Sequence, residues 1–335
     1  MTFNDQDIAA IQSLGYTLDE ARFLYLVAVH SGYFVPRQFL AFTGVKWGRR
    51  SNNFVTKLET RGHVTWREYD RTGGVYHLFS QTLYRYIGKE NLRNRRRHSL
   101  EFIRTRLVLL DFVLSHLGLN YLETEPEKVA FFCGSLCVPK NLLPAKTYEG
   151  SSRTQPTLRY FVDKFPLFVE RHDPSFSPVV TFSYVDPGQA SLAGFANHLQ
   201  TYLPLLRQLE AISFLYIANS PVHFVGAERC FSLLVQSPLE ADVSSQILRY
   251  FRLRNAWEQK QYGSLAARDV EWLKEAMHRF QGERFEGAYR TWTSGKAALR
   301  TEFEEFQPLR NVSFQTCLVA TPRFGKGNPV EERES

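Results

Sequence analysis

Apolar residues recur at helical spacing in several stretches of the first 120 positions of this chain, broken by a strand-like stretch over 63–79, and short apolar runs take over beyond them. Leu18–His30 (LDEARFLYLVAVH) predicts a helix: Thr17 is its N-cap, Asp19 and Glu20 sit in the first turn, and Glu20 completes a capping box. Pro36–Phe42 predicts a second, short helix with proline at its first position. A third runs from about Trp47 to Thr60, with Trp47, Ser51, Phe54, Val55 and Leu58 on one face. His63–Tyr69 and Val75–Phe79 flank Asp70-Arg71-Thr72-Gly73-Gly74 and predict a hairpin, because paired glycines permit the positive backbone angles of a tight turn. Gln81–Ile87 predicts a closing helix packed on the first.

Further along, Lys128–Phe132 (KVAFF) and Leu158–Val169 predict strands, the latter bent at Asp163-Lys164 into a hairpin. Pro178–Val185 and Ile212–Ala218 predict two more strands around an amphipathic helix, Ser191–Leu209, which contains Pro204. Gly226–Val235 reads as helical, as does most of Glu240–Phe306, and Val312–Ala320 reads as a last strand. The expected class is α+β. Its parts are an N-terminal winged helix-turn-helix over 1–90, a basic connector helix over 91–120 and a mixed α/β domain over 121–236. A mainly helical part over 237–324 and a disordered tail over 325–335 follow.

Charge sharpens this picture. The chain carries 41 Lys and Arg against 34 Asp and Glu, a net charge of +7. The excess is local: Gly32–Arg106 holds 16 basic and 5 acidic residues, whereas the chain beyond residue 110 holds 24 and 25. A cationic field confined to one segment points to a polyanionic partner there. No basic amphipathic helix opens the chain, so nucleic acid is favoured over a membrane surface.

The third helix supplies the chemistry. Opposite its apolar face stand Arg49, Asn52, Asn53 and Thr56, flanked by Arg50 and Lys57. Arg can bond guanine bidentately, Asn can do so with adenine, and Lys pairs with phosphate. Helix, helix, polar-faced helix and hairpin is the order of a winged-helix domain, which lays its third helix in the major groove. The expected contacts to double-stranded DNA are therefore Lys46, Trp47, Arg49, Arg50, Ser51, Asn52, Asn53, Thr56 and Lys57 on and before that helix. Arg71 at the hairpin tip and Arg95, Arg96 and Arg97 in the basic run complete them. The apolar face of Leu100–Leu117 offers a surface for a homodimer.

Catalysis is not expected. Asp163, Glu170, Asp173 and Asp186 are the carboxylates a Mg²⁺-dependent nuclease or nickase would draw on. The strand Thr181–Asp186, however, places no Lys after an acid, and Asp163-Lys164 are adjacent and alternate to opposite faces. His172 and His198 read as surface or helix-face residues, and Cys133, Cys137, Cys230 and Cys317 as buried free thiols without zinc-ligand spacing. No metal or cofactor is implied, and without a signal peptide or a long apolar segment the expected compartment is the cytoplasm.

KLETRGHV, Asn94-Arg95-Arg96-Arg97-His98, TEPEKVAFF (124–132), LRYFVDKFP (158–166) and FSYVDPG (182–188) together resemble the replication-relaxation family of bacterial plasmids and integrative elements, over about Leu18–Phe231. The resemblance implies an accessory protein for plasmid or mobile-element replication or transfer, with a C-terminal domain like a degenerate restriction endonuclease. A replication or conjugation protein would be a partner. From the residues alone, transcriptional regulation and a protein- or ligand-binding adaptor role for the C-terminal half stay open beside it.

Overall fold

The computed structural model describes residues 3–44, 48–68, 74–149, 157–170, 178–188, 191–236, 241–280, 283–294 and 311–319. The chain is α+β and divides into two compact units, one of residues 1–231 with 311–335 and one of residues 232–310.

The first unit opens with α1 (Asp5–Ser13), capped by the Asn4 side chain on the Gln6 N–H. No sequence reading assigned this helix, which buries Ile8 and Ile11. The capping box of α2 (Leu18–Leu26) forms between Thr17 and Glu20, and the helix continues as a π turn over Val27–Ser31. Gly32, at φ 81, stops it. Strand β1 (Tyr33–Phe34), α3 (Pro36–Thr43), α4 (Arg49–Thr60), β2 (Val64–Glu68) and β3 (Gly74–Leu78) follow, the strands forming an antiparallel sheet in the order β1-β3-β2. Helix α5 (Gln81–Tyr86) packs on α1.

Helix α6 (Leu100–Ser115) is the centre of this unit. It buries Ile103 and every residue from Arg106 to Val113, touching α3, β1 and the π turn as well as the large sheet. One continuous core therefore runs from Ile8 through Leu110 to Ile217. The apolar face of α6 is covered by the chain's own elements, because it closes the core between the N-terminal helices and the sheet. The expected boundaries at 90 and 120 are not breaks in packing.

The large sheet has the order β6-β7-β8-β9: β6 (Phe168–Glu170) runs antiparallel to β7 (Val179–Asp186), while β7, β8 (Ala211–Ala218) and β9 (Asn311–Leu318) are parallel. Alternate residues on the strands face opposite layers. Val185, Leu215 and Ile217 join the core of α6, while Tyr184, Phe214 and Tyr216 meet Phe195 of α8 (Ala193–Leu206). Burial on both faces explains why β7 and β8 read as continuous apolar runs. Helix α9 (Phe224–Phe231) packs against β9.

Two expectations fail here. KVAFF is not a strand but the end of α7 (Glu125–Ala130) and the π turn after it. A capping box between Thr124 and Glu127, with Pro126 in the first turn, outweighs the short apolar run. Leu158–Val169 does bend, through positive φ at Phe161 and Lys164, but does not fold back as a hairpin. Its first half is β5 (Thr157–Tyr160), paired with the unanticipated β4 (Ala145–Tyr148), and its second half belongs to β6.

The second unit contains α10 (Ala241–Glu258), α11 (Ala267–Arg279) and α12 (Glu283–Thr293) around Tyr250, Phe251, Phe280 and Tyr289. Arg254 forks onto Glu286 at 2.6 and 2.9 Å. The expected tail, 325–335, lies outside the described residues. Among the described residues, no helix is long and apolar enough to cross a membrane.

Candidate nucleic-acid interface

Packing fixes the rotation of α4. Phe54 stacks on Phe39 with ring centroids 4.0 Å apart and meets Phe23 edge-on at 5.9 Å, and Leu58 is buried beside them. With that stripe held inward, Asn52, Asn53 and Thr56 are exposed. Their amides and hydroxyl carry donors and acceptors suited to the edges of bases.

Lys57 departs from the expected set. Its ammonium pairs with Glu20 at 2.6 Å and lies 5.5 Å from the Tyr16 ring, so it ties α4 to the capping box of α2. Beyond α4, Arg61 donates to the Leu14 carbonyl and Tyr16 bonds His63 Nδ1 at 2.7 Å, which anchors the helix's C-terminal end. Lys46, Trp47 and Arg71, together with the side chains of Arg49, Arg50 and Ser51, lie outside the described residues.

The hairpin presents Trp66, Arg67 and Glu68 outward from β2. Trp66 lies over Gly74, where an added Cβ would fall 1.9 Å from its indole nitrogen, so a larger residue there would have to displace the indole. The basic run is not a helical extension of α6 but a short 3₁₀ turn over Arg93–Arg95. It is held to the β1-β3-β2 sheet by Tyr33, which stacks on His77 at 4.4 Å, donates to the Arg96 carbonyl at 2.9 Å and accepts from the His98 N–H at 3.1 Å. Arg96 and Arg97 are exposed, whereas Arg95 donates to the Glu90 carbonyl at 3.2 Å.

Buried polar residues that no local pattern marks do the positioning. Asn94, 0% exposed, donates to the Ala28 and Val29 carbonyls at 2.9 and 2.8 Å. Gln38 donates to the Leu107 carbonyl and to Asp111, which also accepts from Arg37 at 2.8 Å, so α3 is bolted to α6. Burial pushes the Asp111 carboxyl up, against the pull of Arg37 and Gln38.

The carboxylates that a nuclease would draw on hold partners within the fold. Asp163 meets His198 Nδ1 at 3.2 Å and bonds Tyr202. Burial raises its carboxyl, but His198, Lys128 and Tyr202 reverse this and hold it at about 2. Asp186 accepts from the Tyr216 hydroxyl at 2.6 Å and from the Gly188 N–H at 2.8 Å, at the carboxyl end of β7. Glu170 pairs with Val179 at the other end of β7, a separation of roughly 23 Å at strand rise. The described residues contain no group of three or more His, Cys, Asp or Glu placed to hold a metal ion.

Asp173 and His172 lie outside the described residues, and His198 is buried on the inward face of α8. The four cysteines are free thiols, but Cys133, Cys230 and Cys317 are only part-buried and Cys137 is exposed; Cys133 lies in the π turn after α7 and not in a core strand.

Comparison of the chain with family models, with curated proteins and with solved structures finds no match.

Proposed function

We propose that the chain is a non-catalytic, sequence-specific binder of double-stranded DNA, with α4 in the major groove and the β2–β3 hairpin along the backbone. The observation that carries this reading is the exposure of Asn52, Asn53 and Thr56 on a helix whose rotation is locked by Phe54 and Leu58. The order α2-β1-α3-α4-β2-β3 with the sheet arranged β1-β3-β2 supports the winged-helix assignment. Arg67, Arg96 and Arg97 are exposed cations on the neighbouring hairpin and turn, suited to phosphates.

The α/β part would then be a scaffold with a degenerate nuclease-like form, its carboxylates engaged in hydrogen bonds within the fold. A role in plasmid or mobile-element replication or transfer rests on the family resemblance of the sequence alone, and transcriptional regulation is its counterpart. Both place the protein in the cytoplasm. The helical unit, which exposes Trp257, Tyr262 and Met277, is a candidate for binding a protein partner.

Selection of bound fragments from a random duplex library tests the reading. A recovered motif of a few defined base pairs is the expected result. Enrichment that matches the input library at every position would reject base reading by α4.

A further inference from the structure

The edge of a sheet presents unpaired N–H and C=O groups, and folded chains guard such edges with charge, shortness or cover. Here β2 carries Arg67 and Glu68, β4 Lys146, β5 Arg159 and β6 Glu170, while β1 is only two residues long. The outer side of β6 is covered as well, where the Leu122 N–H donates to the Leu167 carbonyl and the Val169 N–H to the Asn120 carbonyl. β9 has none of these guards. Its eight residues, NVSFQTCL, include no charge, proline or glycine, and among the described residues no strand lies beyond it.

Register with β8 shows which of its backbone groups are open. The Val319 N–H donates to the Ala218 carbonyl at 2.9 Å, so it points toward β8. Backbone direction alternates along a strand, which turns the N–H and C=O groups of Val312, Phe314, Thr316 and Leu318 outward. Side chains alternate between the faces of the sheet in the same rhythm. Phe314 faces α8 and α9, with its ring centroid 6.4 Å from that of Phe195 and 4.9 Å from that of Phe231. Leu318 lies on that face and is 58% exposed, while Ser313 and Gln315 are exposed on the other.

We infer that β9 is the contact with a second copy of this chain, paired with itself in antiparallel register about a two-fold axis at Gln315. A two-fold perpendicular to the sheet makes the strands antiparallel and keeps each face on its own side. Val312 then pairs with Leu318 of the second copy and Phe314 with Thr316, and each such pair exchanges two hydrogen bonds. This register uses every outward-facing residue of β9.

Self-complementarity selects this occupant. Beside a two-fold axis a residue faces its own copy or a near neighbour, so a charge there repels itself, and β9 has no charge. Gln315, on the axis, carries both an amide donor and an acceptor and can bond its own image. Val312 covers Leu318 of the second copy, which gives the apolar side chain at the end of β9 a partner. The contact is separate from α4 and the hairpin and forms without DNA, so it goes beyond the proposed function. It would also relate two copies of α4 by one axis, the arrangement in which helix-turn-helix dimers meet two half-sites.

Sedimentation velocity of the full chain without DNA tests the inference, over a concentration series. The samples are wild type, Gln315→Lys, Gln315→Glu and an equimolar mixture of the two variants. Wild type should sediment at twice the mass of one chain. Each variant sets a charge against its own copy and should sediment as one chain. The mixture sets lysine against glutamate and should return to twice that mass, which misfolded chains would not do.

A wild type that stays monomeric at every concentration would overturn the inference, whatever the DNA assays show. Variants that dimerise as wild type does would overturn it too, since the contact would then lie elsewhere. A mixture that stays monomeric would overturn the two-fold register. Each of these results leaves the reading of α4 to its own test.

Discussion

Lys164 donates from Nζ to Oδ1 of Asn94 at 3.1 Å, across 70 positions of sequence. The same asparagine donates from Nδ2 to the carbonyls of Ala28 and Val29, in the π turn that closes α2. Helix ends leave carbonyls without intrahelical partners, and this one finds them in a side chain from the basic turn. One residue thus joins the N-terminal helices, the turn that carries the arginines and the loop before β6.

Asn94→Ala removes both donors and the acceptor while every group around them stays buried. An unsatisfied buried polar group costs about 1–3 kcal/mol, so the variant should lose roughly 2–4 kcal/mol of stability. Urea unfolding checks it: a lower midpoint at unchanged slope is expected, and a midpoint equal to wild type would refute the joint.

Gly32 should be as sensitive for a different reason. Its φ is 81, and a Cβ there would lie 2.2 Å from the Asn94 carbonyl oxygen, an atom of backbone that cannot swing aside. The left-handed conformation costs a residue with a Cβ about 1–2 kcal/mol before the clash is counted. Gly32→Ala should therefore lower the thermal midpoint by well over what Gly44→Ala does, since an added Cβ at Gly44, φ 66, meets nothing within 4 Å. Equal shifts in a paired thermal melt would contradict this.

Acid should weaken the fold through its buried histidines. Burial, followed by the charges of Lys128, Arg106 and Lys89, lowers His30 from 6.5 to about 3. Glu123 Oε1 lies 3.9 Å away, too far to supply the short ionic hydrogen bond that would offset burial. Burial likewise brings His77 down to about 4. The unfolded chain takes up these protons first as pH falls below 6.5, so the stability they confer is complete above that value. It is lost on the way to pH 4 and below.

Each histidine contributes a slope of up to about 1.4 kcal/mol per pH unit in that window. Asp111 and Glu123, with carboxyls pushed up by burial, act in the opposite sense; Asp111 cancels in a comparison of variants, and a Glu123→Gln background removes the second. His30→Gln should flatten the decline between pH 6.5 and 5 relative to wild type. Parallel curves would show that His30 takes up its proton alike in the folded and unfolded chain.

Local signals in the sequence were legible where local chemistry decides. The Thr17–Glu20 box, Pro36 at the head of α3, the inward stripe of Phe54 and Leu58, and the apolar runs of β7, β8 and β9 all stand where the pattern puts them. KVAFF was misread because a short apolar run fits a strand or a helix equally, and the Thr124–Glu127 box that decides it precedes the run. β4 escaped notice because AKTY is exposed on its first three residues and gains its identity only from β5. Asn94 sits in a string of arginines that reads as solvated loop; its burial depends on Ala28, Val29 and Lys164, which no window of neighbouring residues contains. What covers α6 was not legible either, because an apolar helix face does not say whether its cover comes from another copy or from its own sheet.

The central claim is that α4 reads bases. Its most direct test is a footprinting titration of wild type and Asn52→Ala/Asn53→Ala on the selected duplex beside a scrambled one. Each lost base contact should cost about 1–3 kcal/mol on the selected duplex, with little change on the scrambled one. Wild-type affinity and wild-type preference in the double variant would contradict the account.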